Sequence, residues 1–412
     1  MSKTRLLWIG CLESEEEFKI KSRKGYNLAS AQVSQYNILT GLEEITDLVF
    51  DSINGSVLPP YPIYKDRKVE EVRWSHKENA FDISVGYRNE KFINRINCKN
   101  AMIKAARNWI KERYNNEELI VFVYSMRTPV MAAACEIKKL IPNAKLYLIV
   151  TDLPQFMDLG QSKLKAFLKK IDFVQIKKMQ QQFDGFILYA SKMSDFLKIP
   201  KEKWILMEGL YDETEMNSEN SERSIGKSEY RKQAIMYSGK LDLQYGIGLL
   251  LEAFMNVKNP NLELWLTGGG NAEKYIKDCA IKDSRIKFYG FLPSRQDVLN
   301  KQQEASLLVN MRLPSEEASA YCFPSKLFEY MSTGVPVLSF RIEGIPSEYY
   351  KYLLAVEHET EESLIETIKI AFNMEEYSRN EIGEKAKKFI LSEKNMHVQS
   401  SRVWKFVNES LR

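Results

Sequence analysis

One short stretch of the chain combines phosphate-binding and carboxylate groups at helical spacing. Residues Phe323–Met331 read FPSKLFEYM, and the proline suits the first position of a helix because it has no N–H to satisfy. Ser325, Lys326 and Leu327 would then present backbone N–H groups without intrahelical partners. Glu329 follows Ser325 by four residues, about one helical turn. This arrangement fits a nucleoside diphosphate, with phosphates at the helix start and the ribose diol on the glutamate, although a solvated surface glutamate has the same spacing.

A second candidate anion site lies where a predicted strand ends at Gly239 and Lys240, shortly before a helix that is predicted to begin near Gly246. The N–H groups and the dipole at the start of a helix favour negative charge. Lys240 adds a full positive charge there. The alternative interpretation is an ordinary strand-to-helix loop that carries a solvated lysine.

Three successive glycines, Gly268, Gly269 and Gly270, follow the next predicted strand. Without side chains they would let a ligand approach the backbone closely, although tight packing of the turn would explain them equally well. The pattern differs from the G-x-G-x-x-G fingerprint, and no acidic partner follows about 20 residues later. A dinucleotide site is therefore only weakly supported.

In the first half of the chain, Asp152 follows the predicted buried strand Lys145–Val150. Ligands of open α/β sheets collect at the carboxyl ends of the strands. This carboxylate is therefore placed to bind or deprotonate a substrate hydroxyl. Because Asp-x-Pro also commonly starts a helix, a simple helix cap is the alternative.

Other kinds of chemistry find little support. The histidines His76, His358 and His397 lie outside any motif, and there is neither a G-x-S-x-G elbow nor a set of residues at metal-ligand spacing. The five cysteines are scattered without a C-x-x-C pair, which argues against a disulfide framework and fits a reducing cytosol. A net charge of +4 from 59 basic and 55 acidic residues is too balanced for a dedicated nucleic-acid binder.

The elements that must position these residues alternate between short apolar strands and longer helical patterns over 412 residues. Such alternation predicts βαβ units and parallel sheets, hence an α/β fold. A helix is predicted over Ala29–Leu42 and a strand over Thr46–Asp51. The polar stretch from Asp212 to Lys232 predicts a linker between two α/β halves.

Residues 161–184 contain six lysines and two aspartates, an excess equal to that of the whole chain. Apolar residues at helical spacing, including Leu164, Phe167 and Ile171, predict an amphipathic helix that either lies on an anionic membrane surface or covers the sheet. The chain has no apolar run of about 18 residues and no signal-peptide core. We therefore expect a cytoplasmic protein, with peripheral contact at the inner face of the membrane as one of the two interpretations of this segment.

In order and spacing, four motifs resemble those of glycosyltransferase family 4. They are Gly239-Lys240-Leu241, the Gly268–Gly270 turn, Tyr289-Gly290-Phe291-Leu292, and the stretch from FPSKLFEY at 323–330 to GVPV at 334–337. The resemblance covers nearly the whole chain and is most specific from about Tyr237 to Phe340. It implies the GT-B fold, in which two Rossmann-like domains face each other across a cleft. It also implies retaining transfer from a nucleotide-activated sugar, with no cofactor and no bound metal.

The resemblance also implies a division of the chain. Residues 1–211 would form an acceptor-side domain, 212–232 a linker and 233–391 a nucleotide-sugar-binding domain. A C-terminal helix over 392–412 would cross back to the first domain.

Site residues follow from the same resemblance. Lys240 falls where the family has a cation on the donor diphosphate, where it would act in catalysis, and Glu329 falls where a glutamate binds the ribose hydroxyls. The remaining implied donor-binding residues are Gly239, Gly268, Gly269, Gly270, Gly290, Phe291, Arg312, Ser325, Lys326 and Leu327. On the acceptor side they are Tyr26 and Asn27, in the first strand-to-helix loop, and Asp152, which would be catalytic. Asn27 as a cap beside a surface loop is the alternative there.

Two positions depart from the family pattern. Tyr245 stands where a second lysine is usual, and Tyr321 stands where another glutamate is usual, eight residues before Glu329. Arg312 or Lys326 would have to replace the missing positive charge. For the missing carboxylate, Glu316 and Glu317 are the candidates.

The leading prediction is a retaining, metal-independent glycosyltransferase. It would move a hexose-type sugar from a nucleotide-diphosphate donor, most simply a UDP-sugar, to a glycan, lipid-linked or protein-linked acceptor in bacterial surface or exopolysaccharide assembly. One alternative is a non-catalytic nucleotide-binding subunit of a transferase complex, which Tyr245 and Tyr321 favour. Another is an epimerase or phosphorylase of the same fold, which the missing histidines and the lack of a recognisable pyridoxal-phosphate lysine disfavour. No nucleic-acid partner is predicted.

Overall fold

The computed structural model describes residues 4–24, 26, 29–156, 163–211 and 231–411. Contacts between residues divide the chain into two units. The first unit contains residues 1–189, 193–210 and 396–412, and the second contains residues 190–192 and 211–395. Each has a predominantly parallel sheet whose strands alternate with helices, so the α/β class predicted from the sequence is confirmed.

The described part of the first unit has ten strands. They are β1 (Thr4–Gly10), β2 (Phe50–Asn54), β3 (Lys68–Val69), β4 (Val72–Trp74), β5 (Asp82–Ser84), β6 (Tyr87–Arg88), β7 (Glu118–Tyr124), β8 (Lys145–Val150), β9 (Gly185–Leu188) and β10 (Trp204–Leu206). Eight of them form one sheet in the order β10-β9-β8-β7-β1-β2-β5-β4, while β3 pairs with β6. In β1, Leu6 lies beside Phe50 of β2 and Ile120 of β7, and all three side chains are buried. The near-continuous apolar sequence of β1 is typical of a central strand covered on both faces.

Helices connect these strands. In the first unit they span Glu15–Arg23, Ala29–Thr46, Asn94–Arg113, Thr128–Leu140, Lys163–Gln180, Lys192–Leu197 and Met396–Ser410, with a 3-10 turn at Lys201–Lys203.

The helix Met396–Ser410 comes from the C-terminal end of the chain but packs within the first unit. Val403 and Val407 are buried in the same apolar cluster as Tyr147 of β8. The Tyr147 hydroxyl donates to the Val407 carbonyl at 3.3 Å, and Gln399 donates through Nε2 to the Gly209 carbonyl at 2.9 Å. The core of the first unit therefore depends on residues from both ends of the chain.

Buried His76 joins the helix Ala29–Thr46 to β5. Its Nδ1 lies 2.7 Å from Asp82 Oδ2, and its Nε2 lies 3.1 Å from Glu43 Oε1. Burial by itself would lower the pKa of His76, but the hydrogen bonds to the two carboxylates outweigh it and raise the pKa to about 9. The imidazolium therefore acts as a cationic bridge between a helix and a strand.

The described part of the second unit has six strands. They are β11 (Lys232–Lys240), β12 (Glu263–Gly269), β13 (Ile286–Gly290), β14 (Ala305–Asn310), β15 (Val337–Phe340) and β16 (Leu354–Val356). The sheet has the order β13-β12-β11-β14-β15-β16, and every neighbouring pair is parallel. The helices span Ile247–Asn256, Glu273–Lys282, Arg295–Glu304, Glu317–Ala320, Lys326–Ser332, Glu361–Asn373 and Glu376–Glu393, with 3-10 turns at Leu243–Tyr245 and Ser347–Lys351. The carboxyl ends of β11 and β12 lie side by side, since Gly239 pairs with Gly268 and Lys240 with Gly269.

Three predicted boundaries are wrong. The helix from Ala29 continues through Thr46, whose hydroxyl donates to the Leu42 carbonyl at 2.7 Å, and β2 begins only at Phe50. The β-branched residues before Asp47 favoured a strand locally, but the helix ends where Asp47 takes a left-handed φ of 57°. Lys232, assigned to the linker, already belongs to β11, and residues 212–230 of that predicted linker lie outside the described residues. The segment predicted to cross back at residue 392 is still helical through Glu393.

Within the described residues, no helix combines the length and apolar character needed to span a bilayer.

Candidate functional site

A cavity of about 580 Å³ lies in the second unit where β11 and β12 end, and we call it the β11–β12 cavity. Its walls come from those strand ends, from the segment after β13, and from the helices Arg295–Glu304 and Lys326–Ser332. The lining residues are Ser238, Gly239, Lys240, Thr267, Gly268, Gly269, Phe291, Leu292, Arg295, Val298, Lys326 and Glu329. A cavity at the carboxyl end of a parallel sheet is where α/β folds bind ligands.

Two glycines make the close packing of the strand ends possible. Gly268 has a φ of +121°, and a Cβ there would lie 1.9 Å from the Gly239 carbonyl oxygen. Gly239 has a φ of +127°, and a Cβ there would lie 1.3 Å from Lys326 Nζ. Only glycine adopts such a φ without strain. Because residue 239 has no side chain, the side chain of Lys326 has room to cross the end of β11.

Lys326 lies across the strand end, not in open solvent. Its ammonium donates to the Ser238 carbonyl and lies 4.9 Å from the centre of the Tyr237 ring. Burial lowers its pKa to about 8, an effect that nearby Glu329 opposes and nearby Arg312 reinforces. The amine is therefore a cation near neutral pH, held at the cavity wall.

Lys240 is an exposed cation of the cavity, with 61% of its side chain accessible. Its Nζ lies 2.7 Å from Asp242 Oδ2 and 5.4 Å from the centre of the Tyr245 ring. The hydrogen bonds from Lys240 and from the backbone N–H of Asn271 hold the pKa of Asp242 below its ordinary value. Lys240 is thus both solvent-exposed and paired with Asp242, so neither interpretation of it from the sequence is contradicted.

Tyr245, which replaces the lysine usual in the resembling family, binds two cations through its ring. Arg312 Cζ lies 4.8 Å from the ring centre, and Lys240 approaches the same ring. Such contacts attract cations to the aromatic face. Arg312 therefore lies close to Lys240, although it does not line the cavity.

Glu329 lies at the cavity wall and is half-buried. Its Oε1 accepts a hydrogen bond of 2.6 Å from Nε2 of Gln302, which also donates to Ser238 Oγ at 2.9 Å. The alternative of a freely solvated surface glutamate is therefore wrong. Gln302, which the sequence analysis missed, has no signal in the sequence, because its contact with Glu329 joins separate helices.

The start of the neighbouring helix differs from the prediction. The helix spans Lys326–Ser332, so Pro324 precedes it and does not occupy its first position. The Leu327 N–H donates to the Pro324 carbonyl at 2.8 Å, which contradicts the expectation that this group lacks a partner. A tight i to i−3 turn before the helix satisfies it. The Leu327 side chain is fully buried, and Ser325 is exposed.

The structure brings together seven of the predicted donor-side residues. The cavity is lined by Gly239, Lys240, Gly268, Gly269, Phe291, Lys326 and Glu329. Among the described lining residues we do not find Gly270, Gly290, Arg312, Ser325 or Leu327. Phe291 is 82% exposed, so its ring can stack on a planar ligand.

Arg295 and Val298 also line the cavity and were missed by the sequence analysis. They lie on the helix that follows Ser294, whose hydroxyl accepts from the Asp297 N–H at 3.1 Å. A serine followed three residues later by an aspartate is a helix-start signal, so this helix could have been found from the sequence. The position of this helix against the cavity could not have been found from the sequence.

The acceptor-side candidates lie in the first unit. Asp152 is exposed just beyond the carboxyl end of β8. Tyr26 packs edge-on against Tyr64 at 6.4 Å, and burial raises the pKa of its hydroxyl, which finds no hydrogen-bond partner among the described residues. Asn27 lies outside the described residues.

Across the described ranges, no group of three or more His, Cys, Asp or Glu side chains is arranged to hold a metal ion.

Solved structures share this architecture across the whole chain. An E. coli structure described as trehalose-6-phosphate bound with UDP-2-fluoro glucose has a TM-score of 0.66 and 9% identity, and covers 99% of each chain. HepE from Anabaena in complex with UDP has a TM-score of 0.61 and 10% identity, covering 98% of this chain and 100% of its own. The lipopolysaccharide outer core galactosyltransferase WaaB has a TM-score of 0.61 and 11% identity, covering 98% and 99%. The chain has the GT-B fold.

Sequence comparison supports the same conclusion for the second unit. Residues 232–373 match the family model described as glycosyl transferases group 1. This range contains every residue that lines the β11–β12 cavity. No curated protein sequence matches the chain.

Proposed function

We propose that the protein is a glycosyltransferase that binds a nucleotide-diphosphate sugar in the β11–β12 cavity. The observation that carries the proposal is the pairing of two cations, Lys240 and Lys326, with the held carboxylate of Glu329 around one cavity. These residues lie within the range that matches group 1 glycosyltransferases.

The two lysines, Glu329 and Phe291 suit the diphosphate, the ribose and the base of such a donor, respectively. The cations lie where they would bind a diphosphate, and positive charge at a bound diphosphate also stabilises the leaving group as the sugar bond breaks. The Glu329 carboxylate accepts hydrogen bonds only, which suits the two hydroxyls of a ribose. The exposed ring of Phe291 would stack on the base.

We further propose UDP as the nucleotide and retention of configuration at the sugar. HepE and the E. coli structure bind UDP and UDP-2-fluoro glucose, respectively, and they share this fold. In this proposal Lys240 is catalytic through the leaving diphosphate, and Asp152 binds or deprotonates the acceptor hydroxyl. Metal independence is part of the proposal, because fixed cations would do the work of a metal ion.

For the acceptor we propose a glycan, lipid-linked or protein-linked hydroxyl in bacterial surface or exopolysaccharide assembly. WaaB, which shares the fold, is described as a lipopolysaccharide outer core galactosyltransferase.

Peripheral membrane contact through residues 161–184 belongs to the same proposal. On the helix Lys163–Gln180, Ile171 and Val174 are 43% and 55% exposed, and Lys170, Lys177 and Lys178 are exposed as well. An apolar face flanked by lysines suits an anionic lipid surface. Ile171→Gln combined with Val174→Gln should reduce co-sedimentation with anionic vesicles, and equal binding by the variant would rule this contact out.

A thermal-shift screen of UDP, GDP, ADP and their sugars tests the donor proposal. Specific binding at 100 times Kd stabilises the folded state by about 2.7 kcal/mol, so UDP compounds should raise Tm while the others should not. NMR of the transferred sugar then reports the configuration of the product. The donor proposal fails if no nucleotide raises Tm.

The second candidate function is a non-catalytic nucleotide-binding subunit. Tyr245 favours it, because it occupies a position where a catalytic cation is usual and contacts Lys240 with its ring. UDP binding without any turnover of UDP-sugars, with or without acceptor, would support this candidate over the first.

A further inference from the structure

A fully buried glutamine, Gln302, connects the Glu329 carboxylate to the end of β11. Its Nε2 lies 2.6 Å from Glu329 Oε1 and 2.9 Å from Ser238 Oγ. We propose that Gln302 is a positioning residue that fixes the orientation of Glu329 and thereby sets how strongly the cavity selects nucleotides with a free ribose diol. This inference rests on the proposed function and assigns a role to a residue that does not line the cavity.

The orientation of the Gln302 amide follows from its neighbours. A carboxylate only accepts hydrogen bonds, so the group that faces Glu329 must be the amide nitrogen. The two hydrogens of Nε2 then have one acceptor each, Glu329 Oε1 and Ser238 Oγ. With both donors used, the amide plane has a single orientation.

The Ser238 end of this connection is itself fixed. Ser238 Oγ lies 3.1 Å from the Tyr330 hydroxyl, which donates to the Ser238 carbonyl at 3.0 Å. The Ser238 N–H donates to the same hydroxyl at 2.9 Å. Ser238 and Tyr330 are both buried. In this network Gln302 donates to the Ser238 hydroxyl, and the Ser238 hydroxyl donates to the Tyr330 hydroxyl. The same Gln302 amide that begins the network also donates to Glu329 and holds it.

Apolar packing alone does not explain an amide at this position. Gln302 is 0% exposed, and its Oε1 has no hydrogen-bond partner within the described part of the chain. An unpaired buried carbonyl destabilises the folded state, and a methionine of similar shape would avoid that cost. The fold therefore uses the donor side of the amide, which binds the buried Ser238 hydroxyl and the Glu329 carboxylate, and of these two acceptors only Glu329 lines the cavity with a charged group.

Glu329 keeps enough acceptor capacity for two hydroxyls. Its two oxygens offer about four lone-pair sites, and Gln302 occupies one of them. Because Gln302 holds one oxygen of Glu329 in place, the plane of the carboxylate is fixed, and with it the position of the other oxygen. Without Gln302 the side chain would sample other rotamers, and a ligand would have to order it on binding.

The test compares two ligands that differ only in the ribose hydroxyls. Calorimetry would give Kd for UDP and for 2′,3′-dideoxy-UDP with the wild-type protein, Gln302→Met and Gln303→Met. Gln303 is the exposed neighbour on the same helix and provides the matched control. We expect Gln302→Met to lose about tenfold in UDP affinity, the size of one charge-assisted hydrogen bond, with dideoxy-UDP binding unchanged. Gln303→Met should match the wild type with both ligands.

A second variant is needed if Gln302→Met does not fold. Gln302→Leu is used for this purpose in place of Gln302→Glu, because a buried carboxyl this close to Glu329 would keep its proton and could still donate. Leucine has neither a donor nor a charge, so the preference for UDP should again be lost. If either folded variant retains the wild-type ratio of the two Kd values, Gln302 does not position Glu329. If the wild type binds both ligands equally, the ribose role of Glu329 fails and the proposal falls with it. If Glu329→Ala loses the preference while Gln302→Met keeps it, only the role of Gln302 is wrong.

Discussion

The carboxylate of Glu329 is held from behind by Gln302 and faces the cavity with its remaining acceptor sites. Removing it should weaken UDP binding by roughly 1.5–3 kcal/mol, the usual contribution of a hydrogen bond to a charged group. Calorimetry with Glu329→Ala measures this loss. Glu366→Ala, at an exposed position in the same unit, should leave the affinity unchanged. Equal UDP affinity in both variants would refute the ribose assignment.

Lys240 differs from Lys326 because it is exposed and paired with Asp242. As the sugar bond breaks, the leaving diphosphate gains negative charge, and a fixed cation at that place lowers the barrier. We expect Lys240→Ala to reduce kcat more than Lys240→Arg, because arginine keeps the charge. Turnover assays with a UDP-sugar measure both. Identical rates for the two variants would show that the charge at this position plays no part in the chemistry.

At the scale of single elements, Gly239 allows the side chain of Lys326 to cross the end of β11. A methyl group there would meet Lys326 Nζ and would also be strained at φ +127°. Gly239→Ala should therefore destabilise the protein by about 1–3 kcal/mol and weaken nucleotide binding. Urea denaturation measures the first effect and calorimetry the second.

Gly248 supplies the matched control for this substitution. It lies in the helix Ile247–Asn256, where an added Cβ would have its nearest neighbour at 3.8 Å. Gly248→Ala should be neutral or should stabilise by up to about 1 kcal/mol. If both alanine variants unfold at the same urea concentration, the steric role of Gly239 is disproved.

His76 gives the first unit a pH-dependent link between a helix and a strand. Its pKa is about 9 in the folded protein and about 6.5 when unfolded. A raised folded pKa means that the stabilisation is fully present below about pH 6.5 and is lost as the pH rises through 9. The difference in unfolding free energy between wild type and His76→Gln should therefore be on the order of 2 kcal/mol at pH 6 and shrink towards pH 10. A difference that stays constant over this range would contradict the charged bridge.

Apolar runs and turn residues were enough to predict the elements that place the cavity. The end of β11 at Lys240 and both bounds of the apolar strand β8 were predicted from the sequence, because buried parallel strands have a distinctive sequence. The start of the strand predicted over Thr46–Asp51 is wrong, because two β-branched residues cannot show whether a helix continues past them. The contacts of Gln302 with Glu329 and of Tyr245 with Arg312 could not be predicted. They join residues from separate parts of the second unit, and their proximity is decided by how those parts pack together.

At the scale of the whole molecule, we expect activity that does not require a divalent metal. Lys240 and Lys326 would supply the positive charge that metal-dependent transferases place on the diphosphate. Dialysis against EDTA should therefore leave the rate of sugar transfer within about twofold of the rate before dialysis. A twofold change is a small change in the barrier, since a factor of ten corresponds to about 1.4 kcal/mol. Loss of activity in EDTA and its recovery with magnesium or manganese would contradict this expectation.

The route of the chain through the two units also has a consequence for synthesis. The second unit is formed almost entirely by one continuous segment, residues 211–395, whereas the first needs residues 396–412 to cover Tyr147 and its neighbours. Domains generally fold as units while the ribosome is still adding residues. The unit whose strands are made first is thus the one that must wait, because residues 396–412 are added only after the whole second unit. Until those residues are added, the nascent chain exposes the apolar surface that Val403 and Val407 will cover, and a chaperone that binds apolar surface would bind best during that interval.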